Sequence, residues 1–300
     1  MKKSVLFTLS TLFIAGTLVF SGCSSAPKRA MQINTIYSAC KTTLENANSA
    51  ILSGNYDKAK TMLSQAQNQA ISIDNYDLLI SANLTYISLC LSLSTPDTET
   101  AMDYLEIAQS FISFSDNSDR NRALCTMSKL RIEIINNSVS LDYNNLIKEL
   151  KDAQKEFSSD PFNQAQCMSI LGDLYRIKND YDNADKAYNE AVKQFTNERY
   201  LSEIGITWYK IAQNRSLSGN KKGALQALNQ AIYYDRCAEN SMALGSDYYI
   251  KGVILLKGKA TEKEKEEAKA AFLHSAGIFD AIGNLEMAKR SMAFIETEGL

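Results

Sequence analysis

Histidine is nearly missing: His274 is the only one in 300 residues. A histidine-based catalytic triad or a multi-histidine zinc site therefore has nothing to draw on. Set in Phe272-Leu273-His274-Ser275-Ala276, it reads as an ordinary surface or interface residue of a helix. Proline (3) and glycine (13) are also scarce, which argues against a turn-rich all-β chain. Strand-like alternation is nowhere sustained, and no Gly-x-x-x-x-Gly-Lys-Ser/Thr phosphate loop occurs. With 32 basic and 34 acidic residues there is no basic excess to hold nucleic acid, and none is expected as a partner. Carboxylates are plentiful, but pairs such as Asp182 and Asp185 on an amphipathic helix read as a solvated face rather than an acid/base couple. The run Glu262 to Glu267 reads as a helix start with i,i+4 pairs. No cofactor, metal or catalytic residue is expected, and the chain is read as a non-enzyme. No Cys-x-x-Cys occurs among the six cysteines. Beyond Cys23 an odd number remains (Cys40, Cys90, Cys125, Cys167 and Cys237), too widely spaced for a disulfide framework. They read as small buried side chains within helices, or as one incidental disulfide and a remainder.

What is present begins with Lys2 and Lys3, followed by an uncharged stretch from Ser4 to Ala26 whose most apolar part is Val5 to Phe20. That is the layout of a secretory signal, only just long enough to span a bilayer. It ends in Val19-Phe20-Ser21-Gly22-Cys23-Ser24-Ser25, which resembles the lipobox of bacterial lipoproteins with Phe20 where Leu is usual. The resemblance implies cleavage before Cys23 and lipidation of its thiol with several acyl chains, enough for stable anchoring. Ser24 after the cysteine resembles the outer-membrane sorting pattern. The expected organisation is a signal peptide over 1–22, a lipidated cysteine and tether over 23–30, and a helical repeat domain over 31–300. The mature chain then keeps 30 basic against 34 acidic residues.

Helical periodicity fills the rest, broken by similar turns: Gly54-Asn55-Tyr56, Asn179-Asp180-Tyr181 and Gly219-Asn220-Lys221. Gly or Asn there supplies the left-handed residue that stops a helix. Thr95-Pro96-Asp97 serves a similar turn, Asn137 to Asp142 a weaker one, and Lys257 to Lys263 a lengthened one. Successive turns lie about forty residues apart, the signature of stacked helical hairpins. The clearest unit is Leu171-Gly172-x-x-Tyr175 followed by Tyr181, Ala184, Tyr188 and Ala191. It resembles the tetratricopeptide repeat (TPR), as do Trp208, Ile211-Ala212, Ala224, Leu228 and Ala231, and Ala47, Tyr56, Ala59, Leu63 and Ala66. Weaker copies run through Leu89, Ala101, Leu105 and Ala108, through Ile134, Leu150 and Ala153, and through Gly252, Leu255, Ala268 and Phe272. The period exceeds the family's 34 residues, and the proline near the end of its repeat is replaced by Thr196 and Arg236. Small residues at 172, 212, 184 and 224 let paired helices approach, and Tyr188 and Leu228 fill the groove between hairpins. The resemblance implies an all-α, right-handed solenoid of antiparallel hairpins, about six of them, with Leu285 to about Thr297 as a capping helix.

In a TPR array the first helices of the hairpins line a concave groove. The resemblance places Tyr86 and Cys90 there from the second unit, and Ser169, Asp173 and Arg176 from the fourth. Tyr209, Gln213 and Ser216 come from the fifth unit, Tyr249, Val253 and Leu256 from the sixth. Tyrosine offers apolar area with a polar tip, suited to peptide or protein binding; packing between neighbouring helices is the alternative. The candidate partner-binding residues are Tyr86, Asp173, Arg176, Tyr209, Gln213 and Tyr249. The lysine and asparagine clamp by which some TPRs hold a C-terminal carboxylate does not occur. The resemblance implies a lipid-anchored scaffold that binds an envelope protein or peptide, held at the outer membrane and facing the periplasm. The alternative is an accessory subunit of a periplasmic solute transporter, which an apolar pocket lined by the tyrosines would favour.

Overall fold

The computed structural model describes residues 34–136 and 142–300. The expected signal and tether with Cys23, and most of the turn at 137–142, lie outside the described residues. Thirteen α-helices occur among those described, with no strand. They run α1 (Thr35–Leu52), α2 (Tyr56–Ser72), α3 (Tyr76–Leu91), α4 (Thr98–Ser110), α5 (Ser118–Asn136), α6 (Tyr143–Lys155) and α7 (Pro161–Ile177). Then come α8 (Tyr181–Glu198), α9 (Leu201–Leu217), α10 (Lys221–Cys237), α11 (Ser241–Leu256), α12 (Glu262–Ala281) and α13 (Leu285–Thr297). From α2 onward each helix packs on the next, and Cys40 of α1 donates its thiol to the Ala66 carbonyl of α2 at 3.3 Å. The elements thus fall into six antiparallel hairpins and a final helix.

The turns explain the regularity. At Gly54, Asp74, Asn179, Arg199, Gly219, Glu239 and Gly283 the backbone is left-handed, with φ between 51° and 85°. The next residue then sends its N–H back to a carbonyl one turn inside the preceding helix, as Asn55 does to Ala50 (2.8 Å), Asp180 to Tyr175 (2.9 Å) and Asn220 to Arg215 (2.8 Å). This closes the first helix. The same Asn or Asp opens the next one: Asn55, Asp180 and Asn220 each accept a hydrogen bond from the backbone N–H three residues on. Two residues therefore end one helix and start another. The left-handed positions between hairpins, Asp74, Arg199 and Glu239, carry neither Gly nor Asn, so they leave no such mark in the sequence.

Within a hairpin the core is one large side chain against one small one. A Cβ added at Gly172 would lie 2.4 Å from the Tyr188 ring, and one at Gly252 2.6 Å from the Phe272 ring. Tyr188, Leu228 and Phe272 are fully buried, as are Ala184, Ala212 and Ala224. Cys40, Cys90, Cys125 and Cys167 are buried free thiols, while free Cys237 is exposed. The last helix, α13, lies on α12, with Phe294 stacked on Phe272 at 5.1 Å and the hydroxyls of Ser291 and Ser275 2.9 Å apart. His274 is exposed and stacks on Tyr248, their ring centres 5.1 Å apart.

Next-but-one contacts reveal the curvature. They join α3 to α5, α5 to α7, α7 to α9 and α9 to α11, whereas the second helices of successive hairpins make no comparable contact. The first helices are therefore crowded on the inside of the bend. The ends of the array also meet: a side chain at Gly54, in the turn after α1, would reach Met242 Sδ of α11 at 3.0 Å and Ile282 Cδ1 after α12 at 3.3 Å. The first hairpin thus abuts the sixth. No helix among the described residues is long and apolar enough to cross a membrane.

Candidate functional site

Helical spacing sets Ser169, Asp173 and Arg176 one turn apart on α7, and Glu203, Lys210 and Gln213 along α9. Across the two helices Lys210 Nζ donates to Asp173 Oδ2 at 2.6 Å and to Ser169 Oγ at 2.9 Å. Asp173 also accepts from the Tyr188 hydroxyl at 2.8 Å, and Arg176 lies 3.6 Å from the same carboxylate oxygen. Arg176 Nε is 3.2 Å from the Tyr188 hydroxyl. One carboxylate thus serves two cations and a phenol. Farther along, Gln213 donates to the Tyr209 hydroxyl at 2.9 Å.

Arg131 of α5 completes the wall, its guanidinium donating to the side-chain carbonyl of Gln166 on α7. Arg131, Glu203 and Tyr209 each keep part of their surface open to water. Yet burial pushes the Arg131 guanidinium down against the opposing pull of Asp173 and Glu203, raises the Glu203 carboxyl, and raises the Tyr209 phenol to about 12. These three groups are thus substantially desolvated while still touching water. For Arg176, burial works downward, but the charges of Tyr188 and Asp173 carry its pKa up.

Beyond this wall, in the interior between α10 and α11, lies a second polar feature. Asp235 of α10 and Asp247 of α11 are fully buried, and both carboxyls are pushed well above the usual carboxylate range, Asp235 by burial against the opposing pull of its hydrogen-bonding neighbours and Asp247 by burial and by Asp235. Asn240 reaches Asp235 at 3.4 Å. No cation among the described residues comes within ion-pairing distance of either, and Tyr209 is the neighbouring phenol on Asp247. Gly205 of α9 leaves room for Asp235, whose Oδ1 lies 2.4 Å from where a Cβ would stand.

The expected binding residues divide. Asp173, Arg176, Tyr209 and Gln213 form one neighbourhood along α7 and α9. Tyr249 borders Tyr209 electrostatically, but is only 9% exposed and packs edge-on against Phe272 and Phe294. Tyr86 is 5% exposed, stacks on Tyr104 at 4.3 Å and donates to the Lys60 carbonyl at 3.3 Å, so its ring is spent on packing in the second hairpin. Sequence reading missed Lys210, Arg131, Glu203 and Asp247. An acid set among apolar neighbours in Gly245-Ser246-Asp247-Tyr248-Tyr249 was the one available sign.

Outside the groove, a hollow of about 660 Å³ opens between α8 and the end of α9. Its charges are matched internally, Arg215 holding Asp185 through two 3.0 Å bonds. No group of three or more His, Cys, Asp or Glu side chains gathers at metal-binding distance among the described residues.

The tetratricopeptide repeat family model matches residues 165–194, most of α7 and most of α8. No curated protein matches the sequence. In fold the chain is similar to a Rap protein solved in complex with Competence and Sporulation Factor, with TM-score 0.58 and 16% identity over 85% of this chain and 69% of that one. It is also similar to aspartyl phosphate phosphatase F from Bacillus subtilis, with TM-score 0.53 and 14% identity over 88% and 70% of the two chains. A STAND signal-transduction ATPase with a tetratricopeptide repeat sensor, from Pyrococcus horikoshii, gives TM-score 0.50 and 14% identity over 86% of this chain and 41% of that one. The fold is an all-α solenoid of TPR-like antiparallel hairpins.

Proposed function

We propose that this protein is a lipid-anchored scaffold of the bacterial envelope that holds a partner protein or peptide in the groove of α5, α7, α9 and α11 and catalyses nothing itself. The observation that carries the reading is the inner wall itself. Arg131, Arg176, Lys210 and Tyr209 come from three hairpins, keep part of their surface open to water, and are held in place by Gln166, buried Asp173 and Gln213. Such preorganised polar groups beside a tyrosine suit recognition, because little freedom is lost on binding. The complex of a Rap protein with Competence and Sporulation Factor supports the reading, since a similar solenoid there holds a factor. The anchor rests on the lipobox resemblance at Cys23, and placement at the outer membrane on Ser24.

Polarity of the wall favours a scaffold over a solute-transport accessory. The accessory reading calls for an apolar pocket lined by tyrosines, and Tyr86 and Tyr249 are packed away instead. Affinity purification from detergent-extracted envelopes tests the proposal: the wild type is expected to retain a partner that the groove variant Tyr209→Ala loses and the outer-face variant Lys193→Gln keeps, with equal thermal stability of all three verified by circular dichroism. Recovery of no partner, under conditions that hold known envelope complexes together, contradicts it.

A further inference from the structure

The groove is cationic in a chain that is not. Over the full sequence acids outnumber bases, 34 to 32. On the inner wall the balance reverses. Arg131, Arg176 and Lys210, three cations, face two carboxylates, Asp173 and Glu203, and burial raises the Glu203 carboxyl. Asp173 is shared between Lys210 and Arg176, so it offsets one charge and not both. Arg131 is bound by neutral Gln166, with no carboxylate within 4.0 Å among the described residues. A guanidinium has five N–H donors, and most of Arg131's remain for a ligand. A partly desolvated cation lacking a full counter-charge is costly to hold, and an arriving anion relieves that cost.

Shape restricts the occupant further. The first hairpin abuts the sixth at Gly54, Met242 and Ile282, so the first helices curve round on themselves. A wall that closes in this way admits a single extended strand of chain more readily than the face of a folded domain.

Building on the groove reading above, we infer that the occupant is an extended acidic segment of a partner protein, with its carboxylates seated between Arg131 and Lys210. Charge-assisted, bidentate contacts of arginine with carboxylate are the strong form of such recognition.

Three fluorescein-labelled hexapeptides with blocked ends, alternating alanine with glutamate, glutamine or lysine, test this against the full chain by anisotropy. The glutamate peptide is expected to bind at least about tenfold more tightly than the glutamine one, and the lysine peptide not to bind. Arg131→Gln is expected to remove about a tenfold share of that preference, Arg131→Lys to restore part of it, and Lys193→Gln on the outer face to change nothing. Because Arg131→Gln can disturb packing, its glutamine-peptide affinity is measured as well and is expected to stay at the wild-type value. Equal binding of the three peptides with α7 and α9 protected from hydrogen exchange overturns the charge inference and leaves the groove reading standing. Preference for the lysine peptide, or binding of none, overturns the inference too. Glutamate-peptide binding that protects only other helices overturns both.

Discussion

Replacing Asp247 by Asn isolates the energetics of the buried acid pair. In the native protein Asp235 and Asp247 are both without exposed surface, and three of their four carboxyl oxygens find no hydrogen-bond donor among the neighbouring groups. Two ionised carboxyls cannot persist there, so the pair holds protons that the unfolded chain gives up. A carboxyl whose pKa is raised on folding contributes fully below its unfolded value, near pH 4, and loses that contribution as pH rises toward the native value. Each excess native proton costs about 1.4 kcal/mol per pH unit, so between pH 5 and 7 one such proton lowers stability by roughly 3 kcal/mol. That is a sizeable part of a total on the order of 5–15 kcal/mol. The introduced amide keeps the volume of the side chain and donates an N–H to Asp235, which can then ionise with two amides beside it. Urea unfolding followed by circular dichroism at pH 5, 6 and 7 reads the difference: the Asp247→Asn variant is expected to gain on the wild type with each unit, and groups common to both cancel. Parallel curves over this range, or a wild type that gains on the variant, refute the reasoning.

Gly172→Ala places a methyl 2.4 Å from the buried Tyr188 ring, and about 1–3 kcal/mol of destabilisation is expected by thermal or urea melting. Arg199→Gly relieves a left-handed residue at φ 61° and is expected to raise stability by up to about 1 kcal/mol in the same assay. Cys23→Ala is expected to abolish incorporation of a fatty-acid analogue without altering the circular dichroism spectrum of the repeat domain, and an unlabelled wild type contradicts the anchor.

Particular residues show why the fold was more legible than the site. Gly54-Asn55, Asn179-Asp180 and Gly219-Asn220 advertise a turn because one residue must be left-handed and the next must cap. Asp74, Arg199 and Glu239 perform the first task without Gly or Asn, and pass unseen. The pairing of Gly172 with Tyr188 follows from spacing within one hairpin and could be anticipated. The Asp173 to Lys210 ion pair joins residues 37 apart across two hairpins, and nothing local records it. The repeat frame did bring Asp173, Arg176, Tyr209 and Gln213 to one face, because α7 and α9 share a register forty residues apart. It could not foresee that Tyr104 would cover Tyr86, or that Phe294 would cover Tyr249, since burial depends on the neighbouring helix. Arg131 lay in the repeat with the faintest pattern, and its unmatched charge emerged only with α7 and α9 beside it.

The central claim is that a partner lies against the inner face of the array. A photo-activated cross-linking amino acid placed at Tyr209 in one strain, and at exposed Leu273 of α12 in another, tests this in intact cells. A discrete protein adduct from position 209 and none from position 273 is the expected result; an adduct only from position 273, or none from either in a folded, normally expressed protein, contradicts the claim.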